Sequence, residues 1–438
     1  GPTGRKRVQE AAMRRTFDVL RARWPRIGTG VLLLSASGVL MGIGLSPADG
    51  AEALSASVPA GCMAVPTPGT GELMGMDSEF NDPAGMPAGV NGTSSCAVSQ
   101  PYPVVLVHGT FANANFSWQT IAPTLVDDGY SVWALDYGAT SWTAQSDNRV
   151  YAVDSVANSA AQLAYFIDDV VIPRTGATQV DVVGHSQGGM MPRYFIEHDW
   201  NCTSGSVTTN AYGESACTAI GSDTTDGADS PGSPGPQCTP DSSVAGAACV
   251  HILVGFAPSN HGASAYGLVS EMEQLFGQNT QTYPEELGCG ACADQESASP
   301  FLQALNAPEG PDGADGEATP GVLYYVIESA DDEVVTPAPD AATEELGYWP
   351  SAFLMPGAGG PDIQSAVGTA NWIVSPQIDN VTLQGQCPTD NTEHIGIIYD
   401  PLAIEDLVSA LSDNGNSVVA LPSPALTSCP VVPPLVSG

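Results

Sequence analysis

The chain has 438 residues, 43 % of them hydrophobic, and sets 11 Lys+Arg against 48 Asp+Glu for a formal charge of −37. That apolar share supports a packed core rather than a disordered chain, and the length allows one large or two ordinary domains. A polymer this acidic repels phosphate backbones and anionic bilayers, which argues against nucleic-acid or electrostatic membrane binding.

The first 53 residues read as a leader. Arg5, Lys6, Arg7, Arg14, Arg15, Arg21, Arg23 and Arg26 precede an uncharged apolar run, Ile27 to Leu45, "IGTGVLLLSASGVLMGIGL". "SPADG" and the small-x-small triplet Ala51-Glu52-Ala53 follow. Basic, apolar, then small is the order of a secretory signal, so export is expected. The alternative is an uncleaved anchor over residues 27–45, since the run is just long enough to span a bilayer. "MRRTFDVL", from Met13, resembles a twin-arginine export motif. Beyond the leader, 44 acids face only Arg149, Arg174 and Arg193, a balance of −41. Two explanations stay open, adaptation to a saline habitat that screens self-repulsion and a plain solubility bias.

All ten cysteines follow the leader, and an even number in an exported chain predicts disulfides. Cys289-Gly-Ala-Cys292 has zinc-like spacing, but no second Cys/His pair completes a site, so a disulfide is expected there. Cys387 with Cys429 is expected because they bracket the last helix, with local pairing among the four cysteines of residues 201–249.

Residues 54–100, rich in Gly, Pro, Ala, Ser and Asn, are expected to form an irregular arm. From residue 101 onward the pattern is that of one domain. "PVVLVHG" (Pro103–Gly109) is a short apolar run, as a strand buried on both faces would be. "SWQTIAPTLVDDG" has helical spacing, "YSVWALDYG" is a second strand, and "DSVANSAAQLAYFIDDVV" is an amphipathic helix with Asp154 in the capping position. "QVDVVGHS" is a third strand and "QGGMMPRYFIEHDW" the helix after it. Strand and helix alternating at this spacing predict a mostly parallel, doubly wound sheet with helices on both faces. Residues 201–249 then interrupt with a cysteine-rich surface insert. "HILVGFA" resumes the sheet. Residues 262–320 contain a helix-like "GLVSEMEQLFG", the Cys289/Cys292 pair, "SPFLQALN" and an acidic loop, and are expected to supply a cap. "VLYYVIES" and "NVTLQGQ" are strands, and "DPLAIEDLVSALS" is the closing helix.

Gly184-His185-Ser186-Gln187-Gly188 fits G-x-S-x-G, with the strand before and helix after that such an elbow needs. A serine in so tight a turn holds strained backbone angles, and side chains at Gly184 and Gly188 would collide with adjacent elements. The turn lifts the Ser186 hydroxyl above the sheet beside a helix N-terminus. Because a serine hydroxyl is a weak nucleophile, a histidine base held by a carboxylate must accompany it. On this fold the order is serine, acid, histidine. His108 precedes the serine, His185 lies within the elbow and is expected to point away, and His198, His251 and His261 come before any suitable acid. That leaves His394, in "DNTEHIGIIYD". The loop in "VLYYVIESADDEVVTP" offers Glu328, Asp331, Asp332 and Glu333. Glu328 is still within the strand, Asp332 is the choice, and Asp331 stays as its alternative. Oxyanion donors are expected at the Gln187 N–H and in the loop after the first strand, at Thr110 N–H first and Phe111 next.

"PVVLVHGTFANANFSW", "VVGHSQGGMMPRYFI", "VGFAPSNHGAS", "DEVVTP" and "CPTDNTEHIGIIYDP" together resemble the secreted actinobacterial triacylglycerol lipases and esterases of the α/β-hydrolase superfamily, over residues 90–430. The resemblance implies the α/β-hydrolase fold and hydrolysis of lipid carboxylic esters through an acyl-enzyme. It implies the triad Ser186, Asp332 and His394, and a structural role near the site for "SNHG". The chain departs from the family pattern in the 201–249 insert and in "ESAD" before Asp332. The expectation is therefore an exported serine esterase needing no metal or organic cofactor. Its partner would be a lipid ester at an oil–water interface, without nucleic acid or lasting membrane insertion once the signal is removed. A polyesterase, an acyltransferase and an inert scaffold on the same fold stay open, as does the oligomeric state.

Overall fold

A computed structural model describes residues 62–66, 70–222, 238, 243–263, 288–308, 316–338, 349–358, 371–413, 415, 417–421 and 429. The expected leader (1–53), the helix expected over residues 267–277 and the Asp/Gly-rich run 223–230 lie outside them. The chain divides into two units, Gly1–Cys62 and Met63–Gly438, and the second carries the central sheet.

Seven strands form its central sheet: β1 (Val104–Val107), β2 (Val132–Leu135), β3 (Val180–His185), β4 (Val250–Phe256), β5 (Leu323–Glu328), β6 (Asn371–Ser375) and β7 (Ile378–Thr382). Their order is β6-β7-β5-β4-β3-β1-β2. All neighbours pair in parallel except β6 with β7. Every residue of β1, β2, β3 and β5 is buried, which is why these runs, Asp181, His185 and Glu328 apart, are apolar instead of alternating. This is the α/β-hydrolase arrangement. "NVTLQGQ" proved to be a strand only to Thr382, followed by a helical turn, Leu383–Gln386. Its antiparallel partner β6 was not anticipated, since a two-residue turn separates the two.

The helices that matter for the site are α1 (Ile121–Asp127), α2 (Val156–Tyr165), α3 (Gln187–Ile196), α4 (Gly290–Gln295), α5 (Pro300–Leu305) and α6 (Pro401–Leu411). The cap of α2 is Ser155, whose hydroxyl accepts the Asn158 N–H; Asp154 instead accepts the N–H of Ser155. Asp400 caps α6 by accepting the N–H groups of Leu402 and Ala403.

The stretch expected to be an irregular arm is partly ordered. Thr70–Asn81 is a helix, and Val90 is buried in the main core. Asn91 brackets the edge strand β2: its N–H donates to Val132 O, while its side-chain amide exchanges two 2.9 Å hydrogen bonds with Ala134. Main-chain groups that an edge strand would leave open are thereby occupied. Where described, the 201–249 insert is not shapeless either. Thr218–Ser222 and Ser243–Ala245 pair with His198–Asn201 in a small antiparallel sheet, and Cys202–Cys217 and Cys238–Cys249 close it locally. Cys289–Cys292 and Cys387–Cys429 are also disulfides. Among the described residues no helix is long and apolar enough to cross a membrane.

The chain runs from β1 outward to β2, then returns to β3 on the other side of β1. The carboxyl ends of β1 and β3 therefore flank the switch point where open α/β sheets leave a crevice. That crevice needs β3 and α3 to approach β1 closely. A Cβ on Gly188 would overlap the carbonyl oxygens of Val107 and His108, and one on Gly184 would overlap the carbonyl of Gly188. Backbone cannot swing aside as a flexible side chain can. Gly188→Ala is expected to cost more than about 4 kcal/mol, the range reserved for such clashes. A denaturation midpoint within experimental error of the parent chain would refute this.

Candidate active site

Ser186 joins β3 to α3 with φ 54° and ψ −122°, a conformation costly for a residue with a Cβ. Its N–H donates to Phe256 O at 2.9 Å, tying the elbow to β4. Gly109, which opens the loop holding Thr110, lies against the elbow: a Cβ there would sit 3.2 Å from Ser186 Cβ and 3.0 Å from His185 Nδ1.

Asp332 and His394, 62 residues apart, meet across the loops after β5 and β7. His394 Nδ1 lies 2.7 Å from Asp332 Oδ2, and both side chains are fully buried. The other carboxylate oxygen, Oδ1, accepts the N–H groups of Val334 and Val335 at 2.7 and 2.8 Å, which fixes the plane of the group. Burial pushes the Asp332 carboxyl up, but the adjacent His394 and these hydrogen bonds outweigh it and hold it below the usual carboxylate range. Asp331, its neighbour in the same loop, is exposed. Glu328, the last residue of β5, is completely buried and accepts the Ser329 N–H at 3.0 Å. Burial first, and then the charge on Asp332, raise its carboxyl well above the normal value, so this acid is held neutral beside a charged one.

The two loops are also stapled to each other. Ser329 Oγ donates to Thr392 O at 2.6 Å, and Gln384 bridges Ala330 N and Asp390 O. His185 does not turn away from the site as its place in the elbow suggested. Its ring lies 4.8 Å from that of His394, centroid to centroid, and its Nε2 lies 2.9 Å from the His394 carbonyl oxygen. Burial and the neighbouring His394 bring His185 down to about 3, so it is neutral and Nε2–H donates. The remaining histidines are engaged elsewhere: His108 with Gly109 O, His198 with Tyr194 O, His251 with Asp181, and His261 with Glu317.

The Thr110 and Gln187 N–H groups make no hydrogen bond among the described residues, whereas Phe111 N–H donates to Tyr151 O at 3.1 Å. Of the two donors expected in this loop, Phe111 is thus already committed. Thr110 Oγ1 donates to Gln187 Oε1 at 2.9 Å. Gln295, from α4, reaches the same pair: its Nε2 is 2.9 Å from Thr110 Oγ1 and 3.3 Å from Gln187 Oε1. No motif marked Gln295, because its only signal is a contact with residues 108 and 185 positions away. In "SNHG", Ser259 donates to Gln295 Oε1 and Asn260 to Ala352 O, so this loop joins α4 to the sheet.

Buried carboxylates also set how stability responds to pH. Burial raises Asp136, Asp379 and Asp406 to about 7, against about 3.9 in an unfolded chain. Between pH 4 and 7 the folded state therefore keeps protons that the unfolded state has released, and stability falls as pH rises. Asp332, held low, acts oppositely only below about pH 4, and His108 and His185, brought down by burial to about 4 and about 3, offset part of the trend below about pH 6.5 without reversing it. The expected result is a melting temperature several degrees higher at pH 5 than at pH 8. A flat or rising trend in calorimetry over that range would contradict it.

Residues 101–345 match the model of the family described as lipase (class 2). A triacylglycerol lipase of Burkholderia plantarii is 34 % identical over 116 residues, which are 25 % of this chain and 29 % of that protein. A triacylglycerol lipase of Pseudarthrobacter phenanthrenivorans is 36 % identical over 98 residues, 21 % of this chain and 27 % of its own. The chain thus spans less than a third of the length of either relative. Among solved structures, a carboxylesterase from Bacillus subtilis is 12 % identical with a TM-score of 0.33, covering 73 % of this chain and 86 % of that one.

Proposed function

The chain belongs to the class 2 lipase family, and from that premise we propose that it is a serine hydrolase cleaving lipid carboxylic esters through an acyl-enzyme. The reading is carried by one observation, the buried 2.7 Å bond between His394 and Asp332 in the loops that flank the Ser186 elbow. Ser186 Oγ attacks the ester carbonyl while His394 Nε2 takes its proton. Asp332 holds the imidazole in the tautomer with hydrogen on Nδ1 and stabilises the imidazolium that forms. The Thr110 and Gln187 N–H groups receive the developing oxyanion. The alcohol leaves with the proton from His394. Water then attacks the acyl-enzyme, again with His394 as base, and releases the acid and Ser186. Every proton step is met by side chains of this chain.

Export is part of the proposal. The basic-then-apolar leader supports it, as do disulfides such as Cys202–Cys217, Cys238–Cys249, Cys289–Cys292 and Cys387–Cys429. The test is the initial rate on p-nitrophenyl esters from acetyl to palmitoyl, at low and molar salt, beside Ser186→Ala. Ser186-dependent rates that favour acyl chains of eight carbons and longer support a lipase. Activity confined to short chains makes it an esterase or polyesterase, and no Ser186-dependent activity overturns the proposal.

A further inference from the structure

We propose that Gln295 is a positioning residue for the oxyanion donors, bracing the Thr110 and Gln187 side chains so that their backbone N–H groups stay aimed at one point. This rests on reading the site as an ester hydrolase. Gln295 is 1 % exposed and ends α4. The orientation of its amide is dictated by its neighbours. Ala291 O lies 3.1 Å from Nε2, and a carbonyl can only accept, so the nitrogen faces that side. One amide hydrogen serves Ala291 O, leaving the other for Thr110 Oγ1 at 2.9 Å and Gln187 Oε1 at 3.3 Å. With Thr110 Oγ1 accepting from Gln295, its own hydrogen goes to Gln187 Oε1, 2.9 Å away. The three side chains close a buried triangle in which each bond directs the next.

The two oxyanion donors sit on separate elements, one in the loop after β1 and one at the first residue of α3. Backbone N–H groups have no adjustment of their own, so their mutual aim is set by what joins those elements. Gln295 touches both. Its helix is itself anchored: Cys289–Cys292 closes the first turn, Gly290 N–H donates to Val153 O, and Asp294 accepts the Val156 N–H at 2.9 Å. Ser259 Oγ, 2.8 Å from Gln295 Oε1, holds the other end of the amide. A donor that drifts loses alignment first in the transition state, where the charge on oxygen is greatest, so the effect falls on kcat.

The experiment compares the full chain with Gln295→Met, which keeps the length and bulk of the side chain, and with Gln295→Glu, which keeps an acceptor for Ser259 but loses the amide hydrogens. Each is assayed on a p-nitrophenyl ester and titrated with an aryl trifluoromethyl ketone, whose adduct with serine carries an oxyanion. Both variants are expected to lose about 10- to 100-fold in kcat with KM within about threefold, and to bind the ketone more weakly by the same factor as the kcat loss. A merely structural role would shift the melting temperature without that matched split. Either variant retaining kcat within twofold, or losing kcat while binding the ketone unchanged, overturns the role of Gln295. An unmutated chain without Ser186-dependent hydrolysis is a different result and overturns the ester-hydrolase reading beneath it.

Discussion

Ser186→Ala is expected to lower kcat/KM for ester hydrolysis by about 10⁶-fold, the scale seen when a triad nucleophile is deleted. The substitution removes one oxygen and keeps the Cβ, so the strained φ of 54° is no worse tolerated and the elbow should persist. What remains is rate enhancement from binding and from the two N–H donors, which act on water attack as well as on serine attack. The same variant should resist labelling by a fluorophosphonate that modifies the parent chain once. Because Ser186 is 2 % exposed, that labelling also tests whether a substrate-sized electrophile reaches it. Residual activity above about one part in a thousand, with the protein folded by circular dichroism, would place the nucleophile elsewhere.

Asp332→Asn is expected to lower kcat about 10⁴-fold while Asp331→Asn stays within about twofold. The asparagine oxygen can keep the N–H bonds of Val334 and Val335, so the loop retains its shape. Its NH₂ then faces His394 Nδ1, which must accept instead of donate. The imidazole carries its hydrogen on Nε2 and has no lone pair left for the proton of Ser186. Glu328, buried beside Asp332, is an acid that could blunt this loss. Burial holds it neutral even before the charge on Asp332 is counted, and its Oε1 is engaged by Ser329 N–H, so no rescue is expected. Retention of a tenth or more of the activity in Asp332→Asn, abolished by adding Glu328→Gln, would transfer the role to Glu328.

Much of this site is legible in the sequence, for local reasons. A β-branched run broken by Gly-His-Ser-Gln-Gly specifies a strand, a tight turn and a helix within eleven residues, and the close backbone approaches at Gly184 and Gly188 are what those glycines permit. The paired cysteines at 387 and 429 were readable because they bracket one helix. Chain order narrowed six histidines to His394, since a doubly wound sheet delivers its loops to one edge in sequence.

Other features depended on distance in space. Nothing in "ESADDEVV" distinguishes Asp331 from Asp332 until the turn exposes one and buries the other. The helix at Thr70–Asn81 lies in a stretch whose composition reads as irregular, because its apolar residues do not gather on one helical face that a periodic pattern would reveal. His185, inside the elbow, reads as facing away, yet its Nε2 meets the His394 carbonyl 209 residues later.

The sheet, the elbow, and the kinds and order of residues that could do the chemistry are readable from the chain alone. These are written in runs of a few residues, where sterics and hydrophobic periodicity act between near neighbours. Which acid meets His394, that Phe111 N–H is already taken, and that Gln295 joins Thr110 to Gln187 come from the folded arrangement. Each of those depends on burial and on angstrom-scale hydrogen-bond geometry between segments far apart in the chain, which no local pattern encodes.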